Sequence, residues 1–289
     1  MPSRLAQRLP FDVPIFAFSH CRDVVVEVTK AGGFGVLGAS TFSPEQLAIE
    51  LDWIDGHTDG RAYGVDVIIP VVYNAEAETQ LGKSDLHDLI PAEQQEFMDK
   101  VLAAEGVPEL PADDRARVHE EIVNGYGGMT PDGARRLLDV ILQHSPVRLV
   151  VSALGAPPPD VVKRLKKNDI IVGALCGKPH QAVRHREAGV EVIIAQGTEA
   201  GGHTGDIATL VLVPQVIDAI NNEVPVLAAG GISRGSQVAA MLALGAEGVW
   251  CGTVWLGTQE SELTPFAKSA MFAARTEDDD DPPHHMRTQ

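Results

Sequence analysis

The chain has 289 residues, of which 44% are hydrophobic and 22% are charged, a balance typical of a folded globular protein rather than a disordered one. Its 40 acidic and 23 basic residues give a net charge of −17, which disfavours nucleic acid as a partner. The sequence has no run of about 18 apolar residues and no secretory signal core, so neither a membrane span nor export is predicted. Its three widely spaced cysteines disfavour a disulfide framework or a metal site and favour the cytoplasm.

Eight short apolar segments predict buried parallel strands, because their apolarity is mostly continuous instead of alternating. They are Pro14–Phe18, Phe34–Gly38, Val65–Val72, Arg148–Ala153, Ile170–Leu175, Glu191–Gln196, Pro225–Ala229 and Gly248–Gly252. Helical apolar spacing occurs between them and after the last one. The predicted helices are Asp23–Ala31, Pro44–Asp55, Pro131–His144, Pro159–Lys167, Pro179–Ala188, Thr209–Asn221, Gly235–Leu244 and Leu263–Arg275. Alternation of eight strands with helices predicts a TIM (β/α)8 barrel, with a doubly wound open sheet as the alternative.

One long segment interrupts this alternation. Residues 75–128 contain no strand candidate, and their thirteen acidic and four basic residues contribute −9 to the net charge. We interpret them as an acidic helical insertion between the third and fourth strands, either a lid over the barrel mouth or a solvated decoration. The barrel is then predicted over residues 1–74 and 129–275, and the aspartate- and proline-rich residues 276–289 as a disordered acidic tail.

The loops that follow the last three strands carry the strongest functional signal. Barrels place catalytic groups at the C-terminal ends of their strands and bind phosphate after strands seven and eight. Here strand seven is followed by Gly230-Gly231 and strand eight by Gly252-Thr253, and glycine lets backbone N–H groups approach an anion closely. The segment Gly197–Gly205 after strand six holds four glycines around His203, whose unperturbed pKa of about 6.5 suits proton transfer.

These motifs carry a family resemblance. The stretches AQGTEAGGHTG, at 195–205, and AAGGISRGSQVAAMLALGAEGVWCGT, at 228–253, resemble the FMN-dependent nitronate monooxygenases, formerly called 2-nitropropane dioxygenases. The resemblance implies a TIM barrel with non-covalent FMN and His203 as the catalytic base. It also implies a set of cofactor-binding positions. They are Ala17, Phe18, Asp66, Gln196, Gly201, Gly202, Gly230, Gly231, Trp250, Cys251, Gly252 and Thr253.

Two positions depart from the family pattern. Asp66 stands where many members have an asparagine beside the flavin, and a carboxylate there would disfavour negative charge on the reduced ring. The segment Ala17–Asp23 replaces the usual Ala-Pro-Met type of loop after strand one, so its backbone can flank the flavin while its side chains alter the substrate pocket. The chain also ends earlier than the family pattern leads us to expect.

The resemblance implies oxidation of alkyl nitronates or nitroalkanes with O2 to a carbonyl compound and nitrite. The alternative is an NAD(P)H-dependent FMN reductase of enoyl thioesters, with Arg61, Lys178, Arg184 or Arg234 meeting coenzyme A phosphates. A shortened, non-catalytic flavin-binding paralogue is a third interpretation. An inosinate-type dehydrogenase is excluded because the loop after strand six lacks its nucleophilic cysteine. We expect a small-molecule substrate, and assembly as a monomer or a homodimer is left open.

Overall fold

The computed structural model describes residues 3–69, 90–104, 106–111, 113–115, 117–118, 130–202 and 204–275. Four of the predictions fall wholly or partly outside these residues. They concern His203, residues 70–72 of the third strand, the insertion at 75–89, 105, 112, 116 and 119–128, and the acidic tail 276–289.

Eight parallel strands close into a barrel in sequence order, which confirms the predicted fold and excludes the open sheet. The strands are β1 Ile15–Ser19, β2 Phe34–Gly38, β3 Tyr63–Val67, β4 Val147–Ser152, β5 Ile171–Cys176, β6 Val192–Gln196, β7 Val226–Ala229 and β8 Gly248–Cys251. Pairing of β1 with β8, in which Phe16 lies opposite Trp250, closes the cylinder. The third strand begins at Tyr63, two residues earlier than predicted, because this residue pairs with Val147 and its ring is fully buried.

Helices follow the strands along the chain. They are α1 Arg22–Lys30, α2 Pro44–His57, α3 Ala92–Ala104, α4 Pro131–Ile141, α5 Pro159–Lys167, α6 Pro179–Glu187, α7 Thr209–Ala219, α8 Gly235–Ala243 and α9 Pro265–Ala273, with a 3-10 helix at Thr253–Gly257. Proline opens α2, α4, α5, α6 and α9, where its missing N–H costs no helical hydrogen bond. Two residues beyond the last residue of α1, α6 and α8 lie Gly32, Gly189 and Gly245. Their positive φ angles fit the left-handed stop expected from the sequence.

The strands separate two apolar cores. Alternate residues point into the barrel, where Phe16, Phe34 and Val151 belong to an inner cluster. The intervening residues face the helices and join a larger outer cluster. The backbone N–H of Leu5 donates to Glu247, which directly precedes β8, so the N-terminal segment covers the N-terminal end of the barrel. The C-terminal ends of the strands form the opposite rim.

The predicted insertion is represented mainly by α3, which buries none of its side chains. Phe97 and Leu102 on this helix are exposed. Because α3 buries none of its side chains against the barrel, the role of the insertion as a lid stays a prediction. Among the described residues, no helix is long and apolar enough to cross a membrane. Cys21, Cys176 and Cys251 are buried free thiols.

Candidate active site

The loop after β6 lies against the turns that follow both β7 and β8. A methyl group added at Gly231 would lie 3.1 Å from the Cβ of Glu199, and one added at Gly201 would lie 3.7 Å from Thr253 Oγ1. Three loops predicted to act together from their sequence therefore meet at the C-terminal rim. The stretch 199–201 is their common neighbour.

The turn after β7 has space for glycine alone. Gly230 and Gly231 have φ angles of 115° and 66°, which side chains rarely adopt. A methyl group at Gly230 would lie 2.5 Å from Thr209 Oγ1 and 3.2 Å from the Ala200 nitrogen. The turn can thus pack its backbone directly against the β6 loop, which leaves the amides on its other side for a ligand.

Backbone donors are available at both turns. The N–H groups of Gly231, Ile232, Gly252 and Thr253 donate to no other described residue. Gln237 on α8 braces the first turn, since its side chain accepts from Arg234 N at 3.0 Å and donates to Gly231 O at 2.6 Å. Free amides on a braced glycine turn beside a helix start form the kind of site that binds phosphate.

Thr209, at the start of α7, joins the β6 loop to the end of β7. Its backbone N–H and its hydroxyl both donate to Glu199 Oε2 at 2.8 Å, and the same hydroxyl lies 3.2 Å from Gly230 O. Burial opposes ionisation of Glu199, but the hydrogen bonds from Thr209 outweigh it and lower the pKa of the carboxyl. Neither residue was predicted from the sequence, because their contact forms only once the β6 loop folds onto the start of α7.

The loop around residue 203 is fixed at several points. Thr198 N donates to Ile207 O at 3.0 Å and closes its base, and Gln196 Nε2 donates to Gly201 O at 3.2 Å. A methyl group at Gly205 would lie 2.6 Å from Gly177 O, so this loop packs backbone to backbone on the loop after β5. The described residues on both sides of position 203 are therefore held at the rim.

Aromatic side chains occupy the β8–β1 side of the mouth. The rings of Phe18 and Trp250 stack with centroids 6.0 Å apart, and both belong to the inner layer. Ala17 lies between the inward-facing Phe16 and Phe18, so its side chain faces outward and only its backbone can reach the mouth. Cys251 is likewise in the outer core, where burial raises the pKa of its thiol to about 11.

Asp66 is a buried acid inside the barrel. It lies one residue before the end of β3, opposite Gly38 of β2 and Val151 of β4, and is 4% exposed. Burial raises the pKa of its carboxyl well above the usual range. Its side chain has no hydrogen-bond or ionic partner within the part of the chain that the structure describes.

The four basic residues considered for coenzyme A separate in space. Arg61 precedes β3, at the end of the barrel opposite the rim, and pairs with Asp12 at 3.3 Å, so it cannot reach a ligand at the mouth. Arg184 lies within α6. Lys178 and Arg234 directly precede α6 and α8 at the rim, are exposed, and have no acidic partner among the described residues.

Known proteins similar in sequence to this chain are named as monooxygenases. A protein of Mycobacterium tuberculosis named as a monooxygenase is 50% identical over 280 residues, covering 96% of this chain and 72% of that relative. A protein of Staphylococcus aureus named as a nitronate monooxygenase is 28% identical, covering 96% of this chain and 74% of its own. The relatives are thus longer than the matched region.

Solved structures share the fold. The nitroalkane oxidase from Streptomyces ansochromogenes is 31% identical with a TM-score of 0.69, covering 92% of this chain and 72% of its own. FabK from Thermotoga maritima, at 24% identity and a TM-score of 0.67, covers 95% of this chain and 68% of its own, and shows the fold alone.

The family model described as nitronate monooxygenase matches residues 17–279. This match spans the barrel, including all three rim loops, and confirms the resemblance found in the sequence. The family and the nitroalkane oxidase neighbour make the protein an oxidoreductase of a flavin-using class. The chain therefore belongs to the nitronate monooxygenase family.

Proposed function

We propose that the protein is an FMN-dependent oxidoreductase that converts nitroalkanes or their alkyl nitronates with O2 to a carbonyl compound and nitrite. The observation that carries this proposal is the meeting of the glycine turns after β7 and β8 on the stretch 199–201 of the β6 loop. Such an arrangement lets one ligand contact an anion site and the loop that carries His203 together. A phosphate-bearing redox cofactor has both features.

The residues present fit FMN. Its single terminal phosphate would be held by the free amides of Gly231, Ile232, Gly252 and Thr253. Gln196 and Gly201, whose side chain and backbone are already joined by a hydrogen bond, would line the ring. The cofactor supplies the redox chemistry and the reaction with O2, while the protein supplies position and proton control.

His203 is proposed to hold or move the proton on the carbon beside the nitro group. An imidazole titrates near neutral pH and can both accept and donate a proton there. The hydrogen bonds that close the loop at Thr198 and Gln196 would keep this group at the rim.

Reduction of an enoyl thioester with NAD(P)H is the second candidate. The exposed side chains of Lys178 and Arg234, free of acidic partners within the described residues, favour it because they could bind the phosphates of coenzyme A or of the nicotinamide nucleotide. Arg61 no longer supports it, since it lies at the other end of the barrel.

Anaerobic stopped-flow reduction of the reconstituted protein separates the candidates. We expect a nitroalkane to bleach the flavin absorbance much faster than NADPH does. His203→Asn should slow this reaction by about 10²- to 10⁴-fold with the flavin still bound, and should slow reduction by the preformed alkyl nitronate much less. Reduction by NADPH alone would overturn the nitronate assignment and support the reductase. Reduction by neither, with FMN bound, would indicate the non-catalytic paralogue.

A further inference from the structure

We propose that Asp66 acts as a neutral carboxylic acid that donates a hydrogen bond to the bound flavin ring. This inference rests on the proposed function, because it concerns the same cofactor. It adds a protonation state and a donor role to a residue that, as a carboxylate, would oppose reduction of the ring.

The position of Asp66 is set by the strand alternation. A methyl group added at Gly64 would contact Val36 and the Leu149 Cβ, which shows that Gly64 faces the barrel interior. Asp66 lies two residues further along β3 and therefore faces the same side, closer to the rim. Its opposite neighbour Gly38 has no side chain. The space there is taken by the rings of His20 and Phe18, which would lie 2.7 and 2.9 Å from a methyl group added at Gly38.

Among the described residues, no charged group pairs with Asp66 to hold it ionised. Its register neighbours, Gly38 on β2 and Val151 on β4, are neutral. The titratable group beside Gly38 is His20, whose Nδ1–H donates a hydrogen bond to Gly38 O at 3.0 Å. Desolvation alone acts on the carboxyl and raises its pKa well above the usual range.

A largely buried polar group without a partner is costly. The Asp66 carboxyl, 4% exposed and without a partner among the described residues, could be completed by a ligand. In its neutral form the acid carries one O–H donor and keeps an acceptor oxygen. A donor of this kind stabilises negative charge that builds on a reduced ring, whereas a carboxylate would repel it. An asparagine amide offers the same donor and acceptor without titrating.

Unfolding of the apoprotein measured against pH tests the protonation state without any flavin. A carboxyl whose pKa is higher in the folded state holds its proton there after the unfolded chain has lost it. Stability therefore falls as pH rises above the unfolded pKa of about 3.9, and the unfolding equilibrium constant rises by up to about tenfold per pH unit until the folded pKa is passed. Asp66→Asn should lack this component, and identical pH profiles for the two proteins would overturn the inference.

Titration of FMN into both proteins across the same pH range tests the donor role. We expect similar dissociation constants at low pH and a progressive weakening in the wild type alone as Asp66 ionises. The Asp66→Asn profile serves as the control for titration of the FMN phosphate itself. Equal affinities at every pH would overturn the donor role alone. Absence of FMN binding by both proteins would overturn the proposed function, and the donor role with it.

Discussion

Gly230→Ala is the substitution to which the rim should be most sensitive. At a φ of 115° an alanine adopts a backbone conformation that costs about 1–3 kcal/mol. Its Cβ would also lie 2.5 Å from Thr209 Oγ1, closer than real Cβ contacts allow. The Ala200 nitrogen and Gly197 O would lie 3.2 and 3.3 Å from the same Cβ, so the new methyl group has no room to shift. Overpacking of this kind costs about 1–3 kcal/mol more.

We therefore expect Gly230→Ala to lower the free energy of unfolding by about 2–6 kcal/mol and to abolish measurable FMN binding. Gly235→Ala provides a matched control five residues away. A methyl group there meets nothing within 4 Å, and its φ is not in the left-handed region. Because alanine restricts the unfolded chain, this control should be neutral or stabilising by up to about 1 kcal/mol.

Urea unfolding of the apoprotein and fluorescence titration with FMN give the two quantities independently. The reasoning would be refuted if Gly230→Ala matched Gly235→Ala in both stability and affinity. A stability loss without any change in affinity would show that the turn is structural and does not hold the cofactor.

Three further predictions concern the Thr209 bridge, the buried His185 and the exposed Arg234. Thr209→Val removes the hydroxyl that bonds Glu199 and Gly230, so it should cost about 1–2 kcal/mol of stability and weaken FMN binding. Thr209→Ser keeps the hydroxyl and should retain both stability and FMN affinity. Equal behaviour of the two variants would refute the bridging role. His185 donates from Nε2 to Leu175 O, and its Nδ1 is buried without a partner among the described residues. Burial lowers the pKa of the His185 imidazole below its usual value. The unfolded chain therefore takes up a proton first, so stability should fall as pH drops below about 6.5. His185→Gln should flatten this part of the unfolding profile, and an unchanged slope would contradict the assignment. Arg234→Ala should weaken NADPH binding if the reductase is correct, whereas Arg61→Ala should not, as measured by the rate of flavin reduction at varied NADPH.

The barrel was predictable because its sequence signals are local. Continuous apolar segments such as Phe34–Gly38 gave the strands, and proline and glycine marked the helix ends at Pro131 and Gly245. The early start of β3 was missed because Tyr63-Gly64 interrupts the apolar run. Burial of the ring and its hydroxyl bond to Asp55 are tertiary effects that no local pattern records.

The site was predictable where glycine reports a backbone requirement. The clash that a side chain would make at Gly230 is the physical reason for the glycine pair read in the sequence. The links made by Thr209 and Glu199 could not be read, since they depend on two loops folding together. The orientations of Ala17 and Cys251 required strand register, and the neutral state of Asp66 required its burial.

The central claim is that the turns after β7 and β8 bind the phosphate of a flavin mononucleotide. Calorimetric titration with FMN and with riboflavin, which lacks the phosphate, compares the two ligands on one protein. We expect FMN to bind at least about tenfold more tightly than riboflavin, a difference of about 1.4 kcal/mol that Gly230→Ala removes. Equal affinity for FMN and riboflavin would contradict it.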